Sequence, residues 1–189
     1  GWPISHSRSP RLHGYWLARY GIDGTYEALA VAPEDLAEQL GALGDRGFAG
    51  VNLTVPHKEA ALAVVTSLSP AARAIGAVNT VVVGTDGDLE GDNTDGFGFL
   101  ENLRQGAASW RTDTGPAVVL GAGGAGRAIC HALAGAGAPD IRIVNRTQAW
   151  AETLAGDLAG PLVPWSWDDR SEALAGAALV VNTTILGMV

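Results

Sequence analysis

Val118-Val119-Leu120-Gly121-Ala122-Gly123-Gly124-Ala125-Gly126-Arg127 sets an apolar run against three glycines in the order Gly-x-Gly-x-x-Gly, then enters small and apolar residues as far as Ala136. An apolar run bounded by glycine reads as a buried strand, and the residues after it suit a helix, so the spacing predicts strand, tight turn, helix. Gly121 makes the turn out of the strand, Gly123 lets a diphosphate approach the backbone, and Gly126 lets the helix lie close to the strand. The N–H groups of the first helical turn have no intrahelical acceptor and suit an anion. A glycine-rich turn without a ligand is the competing reading; the strand and helix rhythm that follows favours dinucleotide binding.

Downstream, the helix over 124–136 is followed by a strand at 141–144, a helix over 148–158, a short edge near Leu162 and a strand at 178–181. Strands alternating with helices predict a parallel sheet covered by helices. The strand at 141–144 leads into Val144-Asn145-Arg146-Thr147, where an NAD-specific site offers Asp or Glu to the ribose. Arg146 can pair with a 2′-phosphate, and Asn145 and Thr147 can add hydrogen bonds, which favours NADP. A solvated arginine, and NAD or dual use, stay open on these residues alone.

Upstream, a helix over 10–20 is closed by Gly21, followed by an extended stretch at 25–31 and a helix over 33–43. A strand over 48–55 is stopped by Pro56, and helices are expected over 59–65 and 70–75. Strands at 78–83 and 89–91 join through a turn containing Asp86-Gly87, and a helix runs over 94–103. Tyr15 and Trp16 fit helix packing, whereas Trp165 and Trp167 around Ser166 read as a surface loop. The 189 residues therefore divide into an α/β lobe over 1–95 and a Rossmann-type lobe over 96–189, with the active-site cleft between them.

Twelve Lys plus Arg against twenty Asp plus Glu give a net charge of −8, which disfavours non-specific attraction to nucleic acid or anionic membrane. An anion must then be captured locally. The longest uncharged tract, 173–189, is broken by Asn182, Thr183, Thr184 and two glycines, so no membrane span is expected. One cysteine and no basic apolar leader point to the cytoplasm. Cys130, beside Ile129, reads as a buried small side chain, and the four histidines lack metal-ligand spacing, so no metal is expected.

The first half holds three polar clusters: Ser7 and Ser9; Asn52, Thr54 and Lys58; and Asn79, Thr80, Asn93, Thr94 and Asp95. Taken singly, each has a structural reading as a helix cap, a loop bond or a surface ion pair. Brought together, the hydroxyls and amides can orient a polyhydroxylated ring while Lys58 handles a proton and Asp95 orients Lys58.

Gly1-Trp2-Pro3-Ile4-Ser5-His6-Ser7-Arg8-Ser9-Pro10, Asn52-Leu53-Thr54-Val55-Pro56-His57-Lys58-Glu59, Gly76-Ala77-Val78-Asn79-Thr80 and Asn93-Thr94-Asp95-Gly96 occur in that order, ahead of the glycine turn, Asn145-Arg146-Thr147 and Asn182-Thr183-Thr184-Ile185-Leu186-Gly187-Met188. Together they resemble the shikimate dehydrogenase family. The resemblance implies reversible, NADPH-dependent reduction of 3-dehydroshikimate to shikimate by a monomer or homodimer. It assigns Lys58 and Asp95 to catalysis, and Ser7, Ser9, Thr54, Lys58, Asn79 and Asp95 to the substrate. It assigns Gly121, Gly123, Gly124, Gly126, Asn145, Arg146, Thr147, Gly187 and Met188 to the cofactor. Trp150 stands where the strongest phosphate clamps carry a second basic residue, and Arg127 is expected to add positive potential near the turn. The resemblance also implies a strand before Gly1 and further residues after Val189. A quinate/shikimate dehydrogenase with dual cofactor use and a non-catalytic dinucleotide-binding regulatory module are the alternatives.

Overall fold

Proline in the first turn and glycine after the last frame two helices. α1 (Ser9–Tyr20) carries Pro10 and is closed by Gly21 at φ 63°. α2 (Leu36–Gly41) follows a 3-10 turn, Pro33–Asp35, and α3 (His57–Ala60) precedes another, Ala61–Ala63. α4 (Pro70–Ile75) starts behind Ser69, whose hydroxyl accepts from the Ala72 N–H at 3.0 Å, and ends on Gly76 at φ 71°. Glycine enters that left-handed region without a Cβ clash. The computed structural model describes residues 1–187.

Two four-stranded sheets organise the chain. β1 (Gly50–Asn52), β2 (Ser67–Leu68), β3 (Thr80–Val83) and β4 (Leu89–Asp92) pair in the order β1-β3-β4-β2. β3 is antiparallel to β1 and β4, and β2 lies parallel to β4. Leu36, Leu40 and Leu43 pack on this sheet with Leu53, Val78, Val81 and Leu89.

α5 (Asp95–Gly106) leads to the second sheet, in which β5 (Ala117–Leu120), β6 (Ile141–Asn145), β7 (Leu162–Ser166) and β8 (Leu179–Asn182) are all parallel in the order β7-β6-β5-β8. α6 (Gly124–Gly135), α7 (Gln148–Asp157) and α8 (Arg170–Ala173) connect them. Val119, Ile141 and Ile143 meet Ile129, Leu133 and Leu154 on one face. Val118 and Val144 pack with Leu120, Trp165 and Trp167 elsewhere. Burial on both faces explains the near-continuous apolar runs of β5 and β6. The chain moves outward from β5 to β6 and β7, then returns to β8 on the other side of β5. A switch point therefore lies between β5 and β8, the place where open parallel sheets bind ligands at their carboxyl ends.

α5, which leads out of the first lobe, packs along α6. A Cβ on Gly96 would stand 2.9 Å from the Ala128 carbonyl oxygen and 3.1 Å from Ala132 Cβ, so glycine permits this helix approach. Ile75 and Ala77 of the first lobe pack on Ala128 beside it.

Several expectations need correction. The stretch at 25–31, expected only to be extended, joins neither sheet among the described residues, and the Val31 N–H donates to the Gly1 carbonyl at 3.3 Å. The run over 48–55 pairs only at Gly50–Asn52, and the helix expected from Glu59 starts at His57. Tyr15 and Trp16 are exposed, because α1 buries no residue. Trp165 lies on β7 and is half-buried, not in a surface loop. β2 and α8 were not anticipated; at two and four residues they are too short to carry a period.

Cys130 lies buried in α6 and burial pushes its thiol up to about 12, so it stays protonated at neutral and mildly alkaline pH. A thiol reagent at pH 8 is expected to modify no cysteine in the folded protein and one after unfolding; rapid labelling of the folded protein would contradict this packing.

Candidate active site

Lys58 lies in the first turn of α3, and Asp95 is the first residue of α5. Lys58 Nζ donates to Asp95 Oδ2 at 2.5 Å, and the Asn79 side-chain amide donates to Asp95 Oδ1 at 2.7 Å. The two side chains are 14% and 27% exposed, so the pair is largely shielded from water. A carboxylate suits the N-terminus of its own helix, whereas a cation in the first turn of α3 does not. Asp95 therefore provides the compensating charge that lets Lys58 occupy its position.

Backbone bonds fix both partners. The Lys58 carbonyl accepts from the Val78 N–H at 2.7 Å, and the Asp95 N–H donates to Asn93 Oδ1 at 3.1 Å. Asn93 is buried, and its amide donates to the Ala77 carbonyl at 2.9 Å. The Asn79 oxygen accepts from the Thr94 N–H at 3.0 Å and the Thr80 hydroxyl at 2.9 Å. Its amide further donates to the Thr94 hydroxyl at 3.1 Å. Asn79 thus joins the start of β3 to the start of α5.

A cavity of about 250 Å³ adjoins this network, and Ser7, Ser9, Thr54, Asn79 and Asp95 all line it. Lys58 reaches the group through Asp95. Five of the six residues that the resemblance assigns to a substrate thus share one cavity wall, although Ser7 and Asp95 are far apart in sequence. The Ser9 N–H donates to the Ser7 hydroxyl at 3.3 Å, which orders the turn into α1. The cavity is also lined by Tyr26 and Asn52, linked by a 3.0 Å bond from the phenol to Asn52 Oδ1. Burial raises the Tyr26 phenol above its ordinary value, so the proton stays available for that bond. Tyr26 was missed because a lone aromatic in an extended stretch carries no spacing signal. His57 is buried, with Nε2 at 2.9 Å from the Val31 carbonyl. Burial pushes the imidazole below its ordinary value, matching a neutral ring that donates there.

The glycine turn sits at the carboxyl end of β5. Gly121 has φ 107°, and a Cβ there would lie 2.7 Å from Thr183 Oγ1. The Thr183 hydroxyl donates to the Leu120 carbonyl at 2.8 Å and braces the turn from the end of β8. A Cβ on Gly126 would collide with the Gly121 carbonyl oxygen, whereas one on Gly123 would meet nothing within 4 Å. Two glycines are therefore needed for packing, while Gly123 leaves open space in front of α6. No side chain caps this helix. At Gly124, which the resemblance assigns to the diphosphate, a Cβ would lie 2.9 Å from Lys58 Cβ, so glycine also admits the lysine stem.

Asn145 ends β6, and Arg146 and Thr147 follow it. The Asn145 amide donates to the Thr147 carbonyl at 2.9 Å, and Arg146 is exposed at the mouth of the turn into α7. Gly187, at φ 87°, ends the loop after β8; Met188 lies outside the described residues. The positive potential expected from Arg127 is committed elsewhere. Its Nε donates to the Ile75 carbonyl at 2.8 Å, and its Nη2 pairs with Asp157 at 2.9 Å. Among the described residues no group of three or more His, Cys, Asp or Glu is disposed to hold a metal ion.

A family model described as the shikimate dehydrogenase substrate binding domain matches residues 1–81, and one described as shikimate/quinate 5-dehydrogenase matches residues 105–186. The shikimate dehydrogenase (NADP(+)) of Paramagnetospirillum magneticum is 61% identical over 188 residues, covering 100% of this chain and 68% of the relative. That of Rhodospirillum rubrum is 61% identical over 193 residues, with the same shares. The crystal structure of shikimate 5-dehydrogenase from Thermus thermophilus, in complex with NADP(H) and shikimate, superposes with a TM-score of 0.82 at 45% identity, over 97% of this chain and 66% of that one. The chain thus spans about two thirds of each of these proteins.

Asn79 is buried and serves four partners, so removing its amide strands several shielded polar groups. Asn79→Ala is expected to destabilise the protein by about 1–3 kcal/mol in urea denaturation. A variant as stable as the parent would contradict the network.

Proposed function

The chain belongs to the shikimate dehydrogenase family, and from that premise we propose that it catalyses the reversible, NADP-dependent interconversion of 3-dehydroshikimate and shikimate. The observation that carries this reading is the Lys58–Asp95 ion pair beside a cavity that Ser7, Ser9, Thr54 and Asn79 line, with the lysine stem against the first residue of the glycine-turn helix. Residues 1–95 form the substrate lobe and 96–189 the cofactor lobe. The reading includes a cytoplasmic setting, to which the lone buried thiol of Cys130 is suited.

The residues present fit a dinucleotide. The open space at Gly123 and the uncapped first turn of α6 suit a diphosphate. Gly121 and Gly126 keep the turn close to its strand, and Gly187, in the loop after β8, is the further glycine the resemblance brings to the cofactor. Arg146 has no ion pair or side-chain hydrogen bond among the described residues, so its guanidinium is free to meet a 2′-phosphate beside Asn145 and Thr147. An acidic residue at that place would favour NAD; none is present. When bound, NADPH supplies the hydride that reduces the ketone carbon.

The chain's own residues manage the proton and the orientation. Ser7 and Ser9 bind the substrate carboxylate by hydroxyl donation, with Thr54 on the same wall. Asn79 and Asp95 orient the ring hydroxyls. The Lys58 ammonium gives a proton to the ketone oxygen in the reducing direction, and neutral Lys58 takes it back in the oxidising one. Asp95 holds the amine in line and remains an acceptor throughout. A regulatory module that only binds a dinucleotide has no use for this ion pair facing the glycine turn.

The direct test offers shikimate or quinate with NADP or NAD and follows the appearance of reduced nicotinamide. Saturable oxidation of shikimate with NADP is expected; no turnover on either substrate with either cofactor would overturn the reading. Lys58→Ala is expected to lower kcat by about 10²–10⁴-fold while NADPH still binds, and unchanged kcat would remove the proton role. Arg146→Ala is expected to raise KM for NADP and leave KM for NAD unchanged, and equal effects on both would exclude a 2′-phosphate contact.

A further inference from the structure

One guanidinium ties three helices together at their ends. From the first turn of α6, Arg127 reaches the Ile75 carbonyl at the end of α4 and the carboxylate of Asp157, the last residue of α7. A cation suits the carboxyl end of α4 but is unfavourable at the start of its own helix, so local propensity does not account for its place. Gly76 completes the contact: a Cβ there would lie 2.8 Å from Arg127 Nη2. The guanidinium side chain is only 11% exposed, whereas that of Asp157 is 49% exposed. A half-exposed ion pair contributes little to stability, which leaves registration of the helices as its main effect.

The carbonyl that Arg127 holds opens a short segment leading directly into the proton-transfer group. Ala77 accepts from Asn93, Val78 donates to the Lys58 carbonyl, and Asn79 donates to Asp95. Ile75, Ala77 and Val78 are buried, so the segment has little room to absorb a shift. We propose that Arg127 is a positioning residue: by holding the Ile75 carbonyl against α6, it sets the register between the glycine turn and the Lys58–Asp95 pair. This rests on the dehydrogenase reading above. Arginine suits the position because Nε and Nη2 meet two acceptors at once, which lysine cannot do.

The test compares Arg127→Met and Arg127→Lys with the parent in the full chain. Three quantities are read: steady-state kinetics, NADPH affinity from cofactor fluorescence, and amide hydrogen exchange at residues 75–79. Arg127→Met is expected to lower kcat about 10- to 100-fold. The shikimate KM and the NADPH dissociation constant should stay within about threefold. The Val78 amide should exchange at least about tenfold faster. Arg127→Lys, which keeps the charge and one donor, is expected to recover part of kcat, and it carries the test if Arg127→Met does not fold. Unchanged kcat or unchanged exchange in an active protein would overturn the proposal, as would weakened NADPH binding with kcat intact, which makes Arg127 a cofactor ligand. An inactive parent would defeat the dehydrogenase reading instead, and unaltered exchange at 75–79 would still overturn the anchoring role.

Discussion

The ion pair between Lys58 and Asp95 is the constraint around which the two lobes are arranged. A lysine at the start of one helix, its stem laid across the start of another, is electrostatically unfavourable unless an anion stands beside it. Asp95 meets that need from the N-terminus of α5, where a carboxylate is itself favoured. Asn79 then holds the carboxylate from the position just before β3, so the pair fixes where three elements meet. Since α5 also packs closely on α6 through Gly96, the charge pair and the glycine turn belong to one rigid arrangement.

That arrangement explains how an acidic protein can hold an anionic cofactor. The net charge of −8 offers no general attraction, so affinity has to arise from local groups. On the proposed reading, the first turn of α6 and the guanidinium of Arg146, which has no ion pair among the described residues, are those groups, at the carboxyl ends of parallel strands. Arg127, in the first turn of the same helix, is engaged with Ile75 of the first lobe and with Asp157. Charge near the turn is thus divided between recognition at Arg146 and registration at Arg127.

Much of this was legible in the sequence wherever a local rule decides the outcome. Pro10 with Gly21, Pro70 with Gly76, and the glycine turn each mark an element end by backbone chemistry alone, and the helices and strands appear there. The polar motifs named the residues that the structure brings together around the cavity, though their convergence is tertiary and could not be read from spacing. The misreadings share that cause. Trp165 faces apolar neighbours supplied by distant segments, and β2 is too short for periodicity. That the missing side chain of Gly124 also makes room for Lys58, a residue far away in sequence, is a tertiary fact that the glycine spacing does not carry. Arg127 was misjudged for the same reason, since both its acceptors come from other helices.

The account stands on Lys58 and Asp95 acting as a single unit, and a double-mutant cycle on kcat/KM for shikimate oxidation examines this most directly. With Lys58→Met, Asp95→Asn and the double variant compared, the account predicts strong non-additivity, the double variant being about as slow as the slower single one. Additive losses would contradict it, because two groups that contribute independently do not form the proton-transfer unit described.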